Sequence, residues 1–164
     1  MAASRDQAVS GIRFGTALIL ARSQSASHRT ARKHRSTECM HEWRKRTKYL
    51  WHQVQLLAPP SSKEMHQYAD GVHRLSDYLG DDHDLAVLRS SIFGSRKLLD
   101  KESEDALKAF IDRRRAKLQS KAFGSAVTLL KERPNVWCAQ LKRRVKKGER
   151  VRKSDGTARR PRTQ

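Results

Sequence analysis

The chain has little cysteine, glycine or proline: two, eight and four of its 164 residues. Cys39 and Cys138 lie far apart and outside any CxxC pair. This argues against a disulfide framework and a structural zinc site, and it favours a reducing compartment. Because glycine and proline are the strongest breakers of regular structure, their scarcity predicts long, uninterrupted elements.

Long hydrophobic runs are also missing. The apolar run at residues 14–21 is shorter than the roughly 20 residues that a membrane-spanning helix needs. The first residues lack the basic segment and the long apolar segment of a secretory signal. We therefore expect a cytoplasmic protein with one domain and no membrane partner.

Acidic residues are scarce relative to basic ones: 17 against 36, which gives a formal net charge of +19 at pH 7. Such a charge favours a polyanionic partner and carries no information about fold. Eleven of the basic residues, against two acids, fall between residues 142 and 164, where apolar side chains are few. We predict a helical domain at residues 1–147, followed by a disordered basic tail at residues 148–164.

Apolar residues recur every three or four positions along most of the chain, and no segment alternates convincingly with period two. The predicted fold class is therefore all-α, an antiparallel bundle of long helices. Pro59 and Pro60 should end one helix, and Gly80 should end another, with Asp81 or Asp82 capping the next. The predicted helices cover about residues 7–33, 37–57, 62–79, 82–92, 101–133 and 136–146.

The helix predicted at residues 37–57 separates charged from apolar side chains. At about 100° per residue, one face collects His41, Arg44, Lys45, Lys48 and His52. The other face collects side chains suited to a core: Met40, Trp43, Thr47, Leu50, Val54 and Leu57. Arginine and lysine on one face suit a chain of phosphates. The alternative is a solvated surface, but such surfaces usually mix charges, and only Glu42 interrupts this one.

Two further polar groups have the residue types of metal or acid–base chemistry. His66, Asp70 and His73 share one helix face, but without an HExxH motif or cysteines we interpret them as surface residues and expect no metal. The run at residues 81–84 fits a helix cap, and we expect His83 and Asp84 to form a buried structural pair with a basic partner. P-loop, nucleophile-elbow and GxGxxG motifs are absent, so we expect no catalytic residues and no cofactor. A metal-dependent phosphohydrolase that uses His66, Asp70, His73 and Asp84 is the enzymatic alternative.

Two segments in order, residues 41–51 and 73–88, resemble the CHAD family, the conserved-histidine α-helical domain, as do residues 113–119 and 129–134. The resemblance implies a helical domain of two four-helix repeats with a basic groove that binds inorganic polyphosphate and catalyses no reaction. By position, the residues that match the basic helix motif of the family are His41, Arg44, Lys45 and Lys48. Other basic positions are matched by Arg13, Arg74, Arg114 and Lys117.

The resemblance covers one four-helix repeat, the second (C-terminal) one, and an upstream repeat has no counterpart. Half of a two-repeat groove exposes apolar surface, so we expect either a homodimer that completes the missing repeat or a truncated fragment. The alternative function is non-specific nucleic-acid binding, for which the net charge and the basic tail suffice.

Overall fold

The computed structural model describes residues 2–57, 62–93 and 100–157, and the side chains of residues 13–57, 62–93 and 100–146. Within these ranges the backbone forms helices and no strand. The helices are α1 (Ala2–His34), α2 (Thr37–Leu57), α3 (Lys63–Phe93), α4 (Lys101–Leu129) and α5 (Pro134–Thr157). The predicted all-α fold class is confirmed, and the predicted bounds of α2 agree with the structure.

The helices pack in chain order, with α2 against α1 and α3, α4 against α3, and α5 against α1. Contacts between α2 and α3 run in opposite directions along the two helices: His41 meets His83, and Trp51 meets His73. Between α3 and α4, Asp82 contacts Arg115, whereas Gly71, earlier on α3, lies next to Leu129, later on α4. These two helices therefore also run antiparallel. The predicted antiparallel packing is therefore confirmed for these pairs.

The apolar face predicted for α2 is the face that is buried. All six of its residues lie in the core: Met40, Trp43, Thr47, Leu50, Val54 and Leu57. The hydroxyl of Thr47 donates to the carbonyl of Trp43 at 2.9 Å, which satisfies the one polar group on this face. Burial of an aliphatic side chain such as Leu50 stabilises the fold by about 1.5–3 kcal/mol. This face holds the cationic face of α2 toward solvent.

The structure corrects the predicted break near residue 80, because α3 continues through Gly80 to Phe93. None of the described glycines has a positive φ, so Gly80 does not adopt the helix-ending conformation. Asp82 does not cap a new helix either, since its side chain is only 1% exposed. The buried positions Leu75, Leu79, Asp82 and Ala86 follow at spacings of four, three and four, which is one uninterrupted helix stripe.

Other helix ends also differ from the prediction. Asp100 caps α4: its carboxylate accepts from the backbone N–H of Ser103 at 2.9 Å and from the hydroxyl of Ser103 at 2.7 Å. These two hydrogen bonds lower the pKa of the Asp100 carboxyl. The helix ends at Leu129, and Pro134 begins α5, where a missing N–H costs nothing. The helix α5 continues to Thr157, while residues 158–164 lie outside the described ranges. The division into a domain and a tail stays a prediction.

Candidate polyanion-binding surface

Two of the cationic residues of α2, His41 and Arg44, contact α3. The imidazole rings of His41 and His83 are 4.6 Å apart between centroids. One turn further, the Nε of Arg44 lies 3.7 Å from where a Cβ on Gly80 would be. A side chain at position 80 longer than alanine would therefore compete with the guanidinium for space. We call His41, Arg44, Lys45 and Lys48 the α2 stripe.

The charges of the α2 stripe are unequally neutralised. Glu42 contacts Lys45 at 3.1 Å and Arg46 at 2.6 Å, and the hydrogen bond from Lys45 is the largest of the effects that lower the pKa of the Glu42 carboxyl. Within the described ranges, Arg44 and Lys48 form no ion pair. Because one carboxylate is shared by two cations, most of the free positive charge lies on Arg44 and Lys48.

His41 is in an environment that disfavours its charged form. Its Nδ1 is buried and has no hydrogen-bond partner among the described residues. Burial lowers the pKa of His41 most, and repulsion from His83, Lys45 and Arg44 lowers it further. An anion bound beside Arg44 would oppose that repulsion, so proton uptake by His41 and anion binding should favour each other.

The exposed side of α3 next to α2 is mainly acidic, with Arg74 as its one cation between residues 70 and 84. Asp70, Asp77, Asp81 and Asp84 are all exposed and follow at spacings of seven, four and three, which places them on one face. Asp77 contacts the Nδ1 of His73 at 3.0 Å, and Asp84 contacts that of His83 at 3.3 Å. Through these histidines, which pack against Trp51 and His41, the two carboxylates lie near α2. The buried pair with a basic partner that the sequence predicted for His83 and Asp84 is not formed: Asp84 is exposed, and its contact among the described residues is with His83 itself.

The other predicted binding residues lie on three different helices, and each is exposed: Arg13 on α1, Arg74 on α3, and Arg114 and Lys117 on α4. The carbonyl of Arg13 accepts from Gln53 of α2 at 3.1 Å, so Arg13 is on the α1 side of α2. Arg114 and Lys117 are on α4, which packs chiefly against α3. The structure therefore groups the four α2 residues and separates the remaining four.

The residues considered as metal ligands face solvent or contact other side chains. His66 and Asp70 are exposed, and His73 is engaged by Asp77 and packs edge-on against Trp51, 4.2 Å between ring centroids. Among the described side chains, no three histidine, cysteine or acidic groups are placed to hold a metal ion. In the same part of the chain, no helix is both long enough and apolar enough to cross a membrane.

The sequence analysis missed the role of Asp82. Its Oδ1 accepts from Arg115 Nε at 3.0 Å and from Gln119 Nε2 at 3.1 Å, both on α4. The second guanidinium nitrogen of Arg115 reaches the hydroxyl of Thr37 at the start of α2, at 3.4 Å. Asp82 thus links α3 and α4 to the helix that carries the stripe. The available signal was its spacing from Leu79, which continues the apolar pattern.

Comparison with known proteins assigns the chain to a family. The model of the CHAD domain matches residues 4–92, which includes all of α2 and nearly all of α3. No curated protein and no solved structure matches the chain significantly. Because the family model covers more than half of the sequence, and because the matched part contains the α2 stripe, the chain belongs to the CHAD domain family.

Proposed function

We propose that this protein binds inorganic polyphosphate through the α2 stripe and catalyses no reaction. The CHAD domain is associated with polyphosphate binding. The observation that carries the proposal for this chain is the free charge of Arg44, which lies where α2 meets α3, and of the exposed Lys48 one turn further along α2. Polyphosphate presents one negative charge per repeating unit, which matches a row of cations better than it matches a single pocket.

The geometry of the α2 stripe supports an extended ligand. From His41 to Lys48 the helix rises about 10 Å. Arg44 supplies several donors in a fixed fork, and Lys48 supplies a compact charge that can follow neighbouring phosphates. Neutralisation of phosphates releases bound counterions, so affinity should fall steeply as salt increases.

The test is the double variant Arg44→Gln/Lys48→Gln, with Arg143→Gln/Arg144→Gln on α5 as the control. The control residues are exposed, and both variants lose the same net charge. We expect the α2 variant to bind long-chain polyphosphate at least about tenfold more weakly. The slope of log affinity against log salt concentration should fall by about one to two units, because fewer counterions are released. Neither Arg44 nor Lys48 is in the core, so we expect the α2 variant to fold, and circular dichroism checks this.

The control variant defines what the loss means. Near-native binding by the control, with a loss in the α2 variant, supports the α2 stripe as the site. Equal losses in both variants would show that only total charge matters. Native binding by the α2 variant would show that the site lies elsewhere.

Non-specific nucleic-acid binding is the second candidate, favoured by the net charge of +19. A competition experiment separates the two functions: polyphosphate should displace single-stranded DNA at a much lower concentration of phosphate units than DNA needs to displace polyphosphate. The absence of phosphate release from polyphosphate in the presence of divalent metal would agree with a binding role, whereas metal-dependent release would support the phosphohydrolase alternative.

The homodimer stays a prediction. Ile19, Leu56 and Val127 are strongly exposed apolar side chains on three helices, and a second copy of the chain would be one way to cover such surface. Light scattering at micromolar concentration tests it directly, and a monomer at that concentration would exclude the dimer.

A further inference from the structure

A second cationic surface lies on α4. Arg114, Lys117 and Lys121 are all exposed, and their spacings of three and four residues place them on one face. Between residues 113 and 131 the sequence contains no acidic residue. Within the described ranges, Arg114 and Lys117 have no ion pair, while Lys121 Nζ lies over the ring of Tyr78, 5.6 Å from its centroid. We call these three residues the α4 stripe.

The α2 and α4 stripes flank α3 at the same height. Lys121 contacts α3 at Tyr78, and Arg44 contacts it at Gly80. Tyr78 and Gly80 are two residues apart, which on a helix corresponds to about 200° around the axis and about 3 Å along it. The two contacts are therefore on nearly opposite sides of α3. With packed helices 8–10 Å apart, the axes of α2 and α4 are separated by at most roughly 20 Å.

The surface between the two stripes is mainly acidic. The exposed face of α3 carries four carboxylates against one cation, Arg74: Asp70, Asp77, Asp81 and Asp84. A short oligophosphate gains nothing by leaving a cationic stripe to lie on these carboxylates. A long chain, in contrast, can bind one stripe, pass over α3 in solvent, and bind the other stripe.

We propose that the α4 stripe is a second anion-binding surface, and that the two stripes together select long polyphosphate chains over short ones. This inference rests on the proposed function and adds to it a preference for long polyphosphate chains. Once the α2 stripe holds one segment of a long chain, the rest of that chain is at high effective concentration near α4. A chain too short to cross α3 has no such advantage.

The experiment measures the affinity of the full chain for tripolyphosphate, a short-chain polyphosphate and a long-chain polyphosphate. The variant is Arg114→Gln/Lys117→Gln/Lys121→Gln. The control with equal charge removed is Arg143→Gln/Arg144→Gln/Lys146→Gln, three exposed positions on α5. Affinities are compared per phosphate unit, at one fixed salt concentration.

The native protein should bind the long chain at least about tenfold more tightly per phosphate than tripolyphosphate. The α4 variant should lose most of that difference and bind tripolyphosphate as the control does. If the α4 variant and the control behave alike at every length, the α4 stripe is not a binding surface. If the native protein binds no polyphosphate of any length, the proposed function itself has failed.

Discussion

Removal of the buried carboxylate of Asp82 should destabilise the protein by about 2–3 kcal/mol. The change Asp82→Ala breaks the ion pair with Arg115, whose side chain is only 15% exposed, and leaves the amide of Gln119 without its acceptor. Loss of one partner of a fully buried pair costs about 3–5 kcal/mol. The cost is lower here because Arg115 keeps some contact with water and with Thr37, and because alanine favours helix by about 0.5 kcal/mol or more over aspartate.

The assay is urea unfolding followed by circular dichroism. Asp77→Ala is the control, since Asp77 is an exposed acid of the same helix that contacts His73, and its loss should cost less than about 1 kcal/mol. The double variant Asp82→Ala/Arg115→Met removes the stranded charge as well, so it should be less unstable than the sum of its single changes. If Asp82→Ala is as stable as the control variant, the buried ion pair does not hold α3 and α4 together.

Two further predictions concern Gly80 and the histidines. Gly80→Ala should stabilise the protein by about 0.5–1 kcal/mol in urea unfolding, because alanine is favoured over glycine within a helix and its Cβ would only touch Arg44; a loss of stability would contradict an unbroken α3. Burial is the main reason that the pKa values of His28 and His41 are lowered, so the unfolded chain binds more protons than the folded chain below about pH 6.5. The Tm should therefore decrease as the pH is lowered from about 7.5 to about 5.5, and this decrease should be smaller in the variant His28→Gln/His41→Gln. A Tm that does not change over this range would show that neither imidazole is disfavoured in its charged form.

The α2 helix is the element that the local sequence pattern predicts best. Its bounds, its buried residues from Met40 to Leu57 and the separation of its cations from that buried face all agree with the sequence analysis. Pattern is sufficient here because one strongly amphipathic helix has a single way to bury its apolar face. Proline after the helix and the absence of glycine within it leave few alternatives for its ends.

The α3 helix shows where local pattern fails. Glycine followed by two aspartates is a common helix-ending and helix-starting signal, and it predicted a break at Gly80. The structure continues the helix because Asp82 finds Arg115 and Gln119 on α4. Those partners lie more than thirty residues away along the chain, so no local pattern could reveal them.

The sequence by itself determined the helical class, the buried face of α2 and the excess of positive charge, since each of these depends on residue type and helical period alone. Only the tertiary structure decided how the basic residues are distributed. It set the α2 stripe and the α4 residues Arg114 and Lys117 apart, since α2 and α4 contact α3 at Gly80 and Tyr78, on nearly opposite sides of its exposed face. The physical reason is that the neighbours of a helix depend on pairing between distant segments, in which buried contacts such as that of Asp82 with Arg115 outweigh local preference.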